Sequence, residues 1–467
     1  MNTFKKTTLY TALAGIGALG MAGTANAVHV NPDGLGQVLI YPYYTVQDAG
    51  TGTFGSLLSV VNSTASSKAV KVRFLEGKNS QEVLDFNLYL SPRDVWVAGI
   101  TRVGATGGGG AGIYTPDKSC TTPTVSADPT NPTLFVNYAY AGDSGGDGLD
   151  RTREGYVEII EMGNVIGATA TAVTHVNGVP PCTAAALSDS VVQSNVVVGN
   201  GGLFGGMTLI NVLSGEDVAF NAVALDTFRT TTPIWFPPGD IRPTLEFVQP
   251  VQTEIFNGTT ATTYTFSPLR PIDAVSAALM HNQIMNEYVL DTSTKSGTDW
   301  VVTFPTKRYL VNGGTALAPF QRPFVAGTAC DDIAVLTFDR EERGIIVQTG
   351  FSPPAPTSPL ALCFEVNVVT FKGSNVFGSA NVKDLTAATL PTGAQNGWAL
   401  FDLTSSLSGT VAAHALTSTS PVATFFGLPV VGFAAQTYNN GTLTSGALNV
   451  QSIYAGTFPH KATTRIQ

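Results

Sequence analysis

Charge is what this chain has least of. Asp, Glu, Lys and Arg make up 12% of its 467 residues, about half the ~25% usual for a globular domain. That excludes most disordered and highly helical proteins, which are rich in charge. The charge present sums to −9. An acidic surface repels nucleic acid and anionic headgroups, and no basic patch with interleaved aromatics is found, so no nucleic-acid partner is expected. Histidine is scarce too: His29, His175, His281, His414 and His460 are too far apart for a zinc motif, and H-E-x-x-H is absent. The four cysteines, Cys120, Cys182, Cys330 and Cys363, form no C-x-x-C pair. The glycine-rich stretch Gly104–Gly112 lacks G-K-[ST], which argues against a phosphate site.

What is present begins at the N-terminus. Lys5 and Lys6 precede an uncharged apolar run from Thr8 to Gly23, and Ala25-Asn26-Ala27 follows. This is the order of a secretory signal peptide, with the mature chain starting at Val28. The run is short of the ~20 residues that span a bilayer. No transmembrane segment is expected after cleavage, and no cysteine stands at the cleavage site to take a lipid. Export places the protein at the cell surface, outside the cell or in the periplasm. There an even set of cysteines reads as disulfides. Of three pairings the two local ones are favoured, Cys120–Cys182 and Cys330–Cys363.

Gly (49) and Pro (27) are abundant and scattered, as in many short strands joined by turns. Strands are expected at Gly36–Val46, interrupted at Pro42, and at Leu57–Asn62, Ala69–Leu75, Asp85–Leu90 and Val95–Ile100. In the third, Val70, Val72 and Phe74 share one face and Lys71 and Arg73 the other. Further strands are expected at Leu134–Tyr140, Gly155–Met162, Trp300–Phe304, Ile345–Thr349, Phe364–Phe371 and Leu428–Ala434. Pro271–Leu290 reads as the one helix, with Pro271 in its first turn and Val275, Leu279 and Asn282 at helical spacing. The four prolines of Pro233–Pro243 suggest a boundary. The expectation is an all-β protein of two β-sandwich halves, Ig-like or jelly-roll-like. They are residues 28–240 and 241–467 after a signal at 1–27, with the helix inserted in the second.

Gly142–Glu154 (GDSGGDGLDRTRE) attracts three readings. Gly142–Gly146 is the pentapeptide around a chymotrypsin-like nucleophile, but that chemistry needs His, Asp and Ser in order. Only His29 precedes Ser144, and His414 follows it. A calcium loop would use Asp143, Asp147, Asp150 and Glu154, although Gly145 supplies no side-chain oxygen at its third position. The favoured reading is an acidic surface loop. No other cofactor is expected. His281 and Met285, four apart on the expected helix, have a copper-compatible spacing but read more simply as core neighbours. Asp331-Asp332 and Glu341-Glu342 are paired carboxylates, yet a glycosidase needs its acids across a cleft. Tyr41, Tyr43 and Tyr44 would serve sugar stacking or a core edge equally well. An outer-membrane barrel is disfavoured by the prolines, the cysteines and a chain ending Arg465-Ile466-Gln467.

The stretches GLGQVLIYPYYTV (Gly34–Val46), VRFLEG and VLDFNLYLSPRDVW within Ala69–Trp96, TDWVVTFPTKR (Thr298–Arg308) and GLPVVGF (Gly427–Phe433) resemble a family of exported proteins of Gram-negative bacteria with no assigned activity. The resemblance implies an exported β-rich protein and supplies no catalytic residue. The expected function is a non-enzymatic structural or interaction protein that assembles with copies of itself, as a homo-oligomer or filament, by strand pairing. The segment Val28–Val46, with Val38, Ile40, Tyr41 and Tyr43, is the expected donor strand. The alternative is a glycan- or calcium-binding module, with a glycosidase third.

Overall fold

The computed structural model describes residues 27–467 except 51, 105–108, 258–259, 345–358, 387–388, 405–412 and 447. The signal and the strand expected at Ile345–Thr349 therefore lie outside the described residues. The fold is all-β. An eight-stranded sheet runs from His29–Val30 through Val223–Asp226, Val38–Thr45, Glu154–Val165, Lys68–Glu76 and Glu82–Leu90 to Thr121–Thr122, with Val196–Val197 beside Glu154–Val165. A six-stranded sheet follows the order Thr133–Leu134, Ala111–Tyr114, Val95–Arg102, Gly55–Asn62, Leu203–Asn211, Glu216–Asn221. The two face each other: Tyr41 OH donates to the Ser59 carbonyl at 2.8 Å, and Phe86 lies 5.8 Å from Trp96.

The second half repeats the plan with two five-stranded sheets. One is Pro359–Leu362, Asp331–Asp339, Asn396–Asp402, Gln283–Val289, Lys461–Thr463; the other is Val382–Leu385, Val366–Phe371, Gly297–Thr303, Val431–Ser445, Leu448–Pro459. Trp300 fills the space between them, 4.7 Å from Phe401 and 5.4 Å from Phe371, and its indole N–H donates to the Glu287 carbonyl. Every sheet draws its strands from one side of residue 240. One hydrophobic cluster nevertheless runs through both halves, with a smaller one, including Tyr89 and Met162, under the Trp235 segment. Phe220 stacks on Phe433 at 4.2 Å, Tyr43 meets Phe377, and Thr303 donates to the Pro42 carbonyl at 2.7 Å. The proline-rich segment Pro233–Pro243 is a strap rather than a loose linker. Ile234 N–H bonds the Met162 carbonyl, Asn87 bonds the Phe236 carbonyl and Lys71 bonds the Asp240 carbonyl. The disulfides are Cys120–Cys182 and Cys330–Cys363, the expected local pairs.

Four expectations are corrected. The helix at Pro271–Leu290 is only Ile272–Ala278, and Gln283–Val289 is a strand paired on both edges. Ile284 and Tyr288 are both buried. A separation of four suits one helix face and one strand face alike, so sheet pairing overrode the local propensity. The single inserted helix is also wrong, since short helices occur at Gly167–Val173, Asp189–Asn195 and Arg308–Val311 as well. Leu134–Tyr140 is mostly not strand: Thr133–Leu134 pairs briefly and Tyr138–Tyr140 is a 3-10 turn. Finally, Val28–Val46 is not a free end. Val38–Thr45 is a central strand, wholly buried, hydrogen-bonded to Val223–Asp226 on one side and Glu154–Val165 on the other. Val38, Ile40, Tyr41 and Tyr43 are all at 0% exposure, which leaves no edge to donate. Pro42 sits inside this strand without breaking it. It has no N–H to give, and the ladder shifts register opposite it, between Gly155 and Val157.

Candidate functional site

The chain's open edge is at the other terminus. Val431–Ser445 and Leu448–Pro459 form a long antiparallel hairpin. Its first strand is paired to the Gly297–Thr303 strand only as far as Thr437. Beyond that point the hairpin continues as a two-stranded ribbon from Thr442–Gln451 to Ser445–Leu448. Among the described residues no strand pairs with the outer edge of Leu448–Pro459. Asn440, Thr442, Thr444, Asn449 and Tyr454 are exposed. From Val431 to Pro459 there is no Asp, Glu, Lys, Arg or His. Monomeric proteins usually blunt an exposed edge with charge, proline or a short strand. The distal ribbon carries neither charge nor proline.

At its base the ribbon walls a groove of about 880 Å³. Gly432, Phe433, Thr457 and Pro459 form one side, and Leu57, Val97, Gly99, Tyr114 and Phe220 of the first half line the other. Gly99 lies where a β-carbon would collide with the Tyr114 ring, at 2.6 Å, so the ring lies flat against the sheet there. No Asp, Glu, Lys, Arg or His lines the groove. This surface offers instead apolar contact, hydroxyls and peptide groups, which suit recognition of an uncharged partner.

The charges have gone elsewhere. Lys71 and Arg73, on the face of the strand opposite the core, are buried rather than solvated. Arg73 bonds Glu82 at 2.8 Å and Glu158 at 2.5 Å. Lys71 bonds Asp85 at 2.9 Å, and Lys68 bonds Glu161 at 2.5 Å. The Pro233–Pro243 strap covers part of this layer through its carbonyls.

The loop Gly142–Glu154 does not assemble the expected calcium ligands. The Asp143 carboxylate is bound twice by Arg151, at 2.9 and 2.7 Å, and Arg151 also holds Glu76. Asp147 and Asp150 are exposed. Glu154 opens the Glu154–Val165 strand and is buried, accepting from Tyr43 OH, the Ser379 hydroxyl and the Ala380 amide at 2.7–2.8 Å. It points to the second half, away from the loop's aspartates, because the strand begins at that residue. Ser144 accepts from the Gly327 amide. His414 is buried with its ring nitrogens against the Pro319 and Asp332 carbonyls, so neither it nor His29, which faces Ala27, stands beside that serine.

The other candidates are dispersed in the same way. Strand geometry removes the helical spacing of His281 and Met285. Burial pushes His281 down to about 4, and its Nδ1 lies 3.3 Å from the Thr464 hydroxyl. Asp331 is buried against Lys307, while Glu341 and Glu342 occupy a surface turn with Arg340 and Arg343. Tyr41, Tyr43 and Tyr44 are enclosed in the core and cannot stack on a sugar. Sequence reasoning missed the ribbon and the groove. The signal that would have found the ribbon is the charge-free run itself, unusual in length even for this chain. Compared with protein-family models, curated proteins and solved structures, the chain matches none. No described helix is long and apolar enough to cross a membrane.

Proposed function

We propose that this is an exported, non-enzymatic interaction protein that assembles with copies of itself through its C-terminal β-ribbon. One observation carries the reading: a projecting hairpin with an open edge and no charge from Val431 to Pro459. A second copy is the fitting partner because two identical uncharged edges are self-complementary in an isologous, two-fold pairing. The acidic remainder of the chain keeps copies apart elsewhere. The adjoining uncharged groove extends the same surface. Export is supported by the N-terminal signal and by two disulfides, which persist in oxidising compartments.

The test is sedimentation velocity and negative-stain microscopy of the purified mature protein beside Thr442→Lys/Tyr454→Lys. Both residues are exposed on the ribbon. The wild type is expected to show concentration-dependent dimers, and the variant to remain monomeric. A wild type that stays monomeric, or a variant that assembles equally well, would overturn the proposal. N-terminal sequencing of the exported protein is expected to begin at Val28.

A further inference from the structure

The two halves leave a second opening, a cleft of about 520 Å³ that the hairpin residues Thr437 and Ile453 help to line. Glu216, the first residue of the Glu216–Asn221 strand, lines it from the first half. Its side chain is enclosed, with the residue 5% exposed, and its Oε1 has no hydrogen-bond partner. A buried acceptor left unpaired is costly unless something fills the role. Asp299, fully buried in the Gly297–Thr303 strand, acts on Glu216 as a second negative charge. Its own carboxylate is held by the Phe377 amide and the Ser374 hydroxyl. Burial and the neighbouring Asp299 push Glu216 up to about 7, the response of a carboxylate that lacks a counter-ion.

Size and ligand count decide what the counter-ion would be. A hard dication needs six to eight oxygens, usually from several carboxylates. Among the described residues no group of three or more acidic, His or Cys side chains is placed to hold a metal. The opening is also far larger than an ion and falls within the ~300–1,000 Å³ of small-molecule sites. An ammonium group needs only three acceptors, and Ser214 and Ser374 line the same cleft as Glu216. Asp291 and Lys295 stand on the same lining.

We infer that the Glu216 cleft binds a small organic cation bearing a primary ammonium group, with Glu216 as its counter-ion. Thr437 and Ile453 of the hairpin border this site, but the exposed tip residues Thr442, Thr444 and Asn449 do not. The test is calorimetric titration of the mature protein with 1,4-diaminobutane, with 1,4-butanediol as the uncharged counterpart and calcium chloride as the metal arm. The diamine is expected to bind saturably and the diol not at all. Glu216→Gln keeps the shape and removes the charge, so it should weaken diamine binding roughly tenfold or more. Thr292→Trp fills the opening without touching Glu216 and should abolish binding. Asp150→Asn, in a distant exposed loop, should leave it unchanged. No saturable diamine binding overturns the inference. So does equal binding by Glu216→Gln, equal binding of the diol, or Glu216-dependent uptake of calcium in place of the diamine.

Discussion

The outer face of the eight-stranded sheet and the C-terminal ribbon treat charge in opposite ways. The sheet face concentrates it: Lys71 and Arg73 stand side by side on one face of a strand, each against a carboxylate, and both are buried. The ribbon, equally strand-like, has no charge and is left open. In an ordinary domain the assignment is reversed, with ions outside and apolar strands within. Exposure in this protein is therefore set by what covers a strand, here the Pro233–Pro243 strap, and not by the polarity of its side chains.

The largest effect should come from breaking the sealed charge layer. Arg73→Met leaves Glu82 and Glu158 buried without their partner, which costs ~3–5 kcal/mol when a buried pair is halved. Denaturant unfolding would measure it. A loss below 1 kcal/mol would mean that the layer is wetter than the structure shows. Next comes the acidic cleft between the halves. Burial and Asp299 raise Glu216 to about 7, and burial raises Asp299 to about 6. Asp217 adds a further negative charge beside Glu216, and Asp291 and Lys295 line the same opening. A raised carboxyl binds its proton more tightly in the folded state. Its stabilising contribution is therefore full below the ordinary carboxylate pKa and is lost as pH rises through 6–7. Stability should fall over that window, and Glu216→Gln should flatten the fall by on the order of 2 kcal/mol. Thermal melts from pH 5 to 8 would read it, and an unchanged slope in the variant would assign the effect elsewhere.

The smallest effect sharpens the contrast. Thr442→Lys adds a full charge to the exposed ribbon and should move stability by no more than ~0.5 kcal/mol, even as it interferes with assembly. A unit of charge would then matter greatly on the covered sheet and hardly at all, for folding, on the ribbon.

Most of the strands were legible because alternation and turn residues are local signals. Lys68–Glu76, Glu82–Leu90 and Glu154–Val165 lie within three residues of where the pattern placed them. The local disulfide pairing was legible for a similar reason. What failed depended on partners distant in sequence. Gln283–Val289 became a strand because Asn396–Asp402 and Lys461–Thr463 flank it. Val38–Thr45 lost its role as a donor because Val223–Asp226 occupies the edge that proximity to the N-terminus seemed to leave free. Lys71 and Arg73 alternate as a half-exposed strand should, and only the strap shows that both faces are covered. The candidate site was least legible, since neither a groove between halves nor an unpaired edge is written in any one segment.

The buried position of Val38–Thr45 also has a consequence in time. Tyr43 and its hydrogen-bond partner Glu154 are 111 residues apart. At the ~5–20 residues per second of synthesis, this apolar strand waits roughly 5–20 seconds before the first of its two partner strands begins to be made. An early strand of the fold is thus paired only by strands made much later. A newborn chain of this protein has no native partner for its stickiest segment during that interval. A chaperone that holds extended apolar chain would have its best opportunity there.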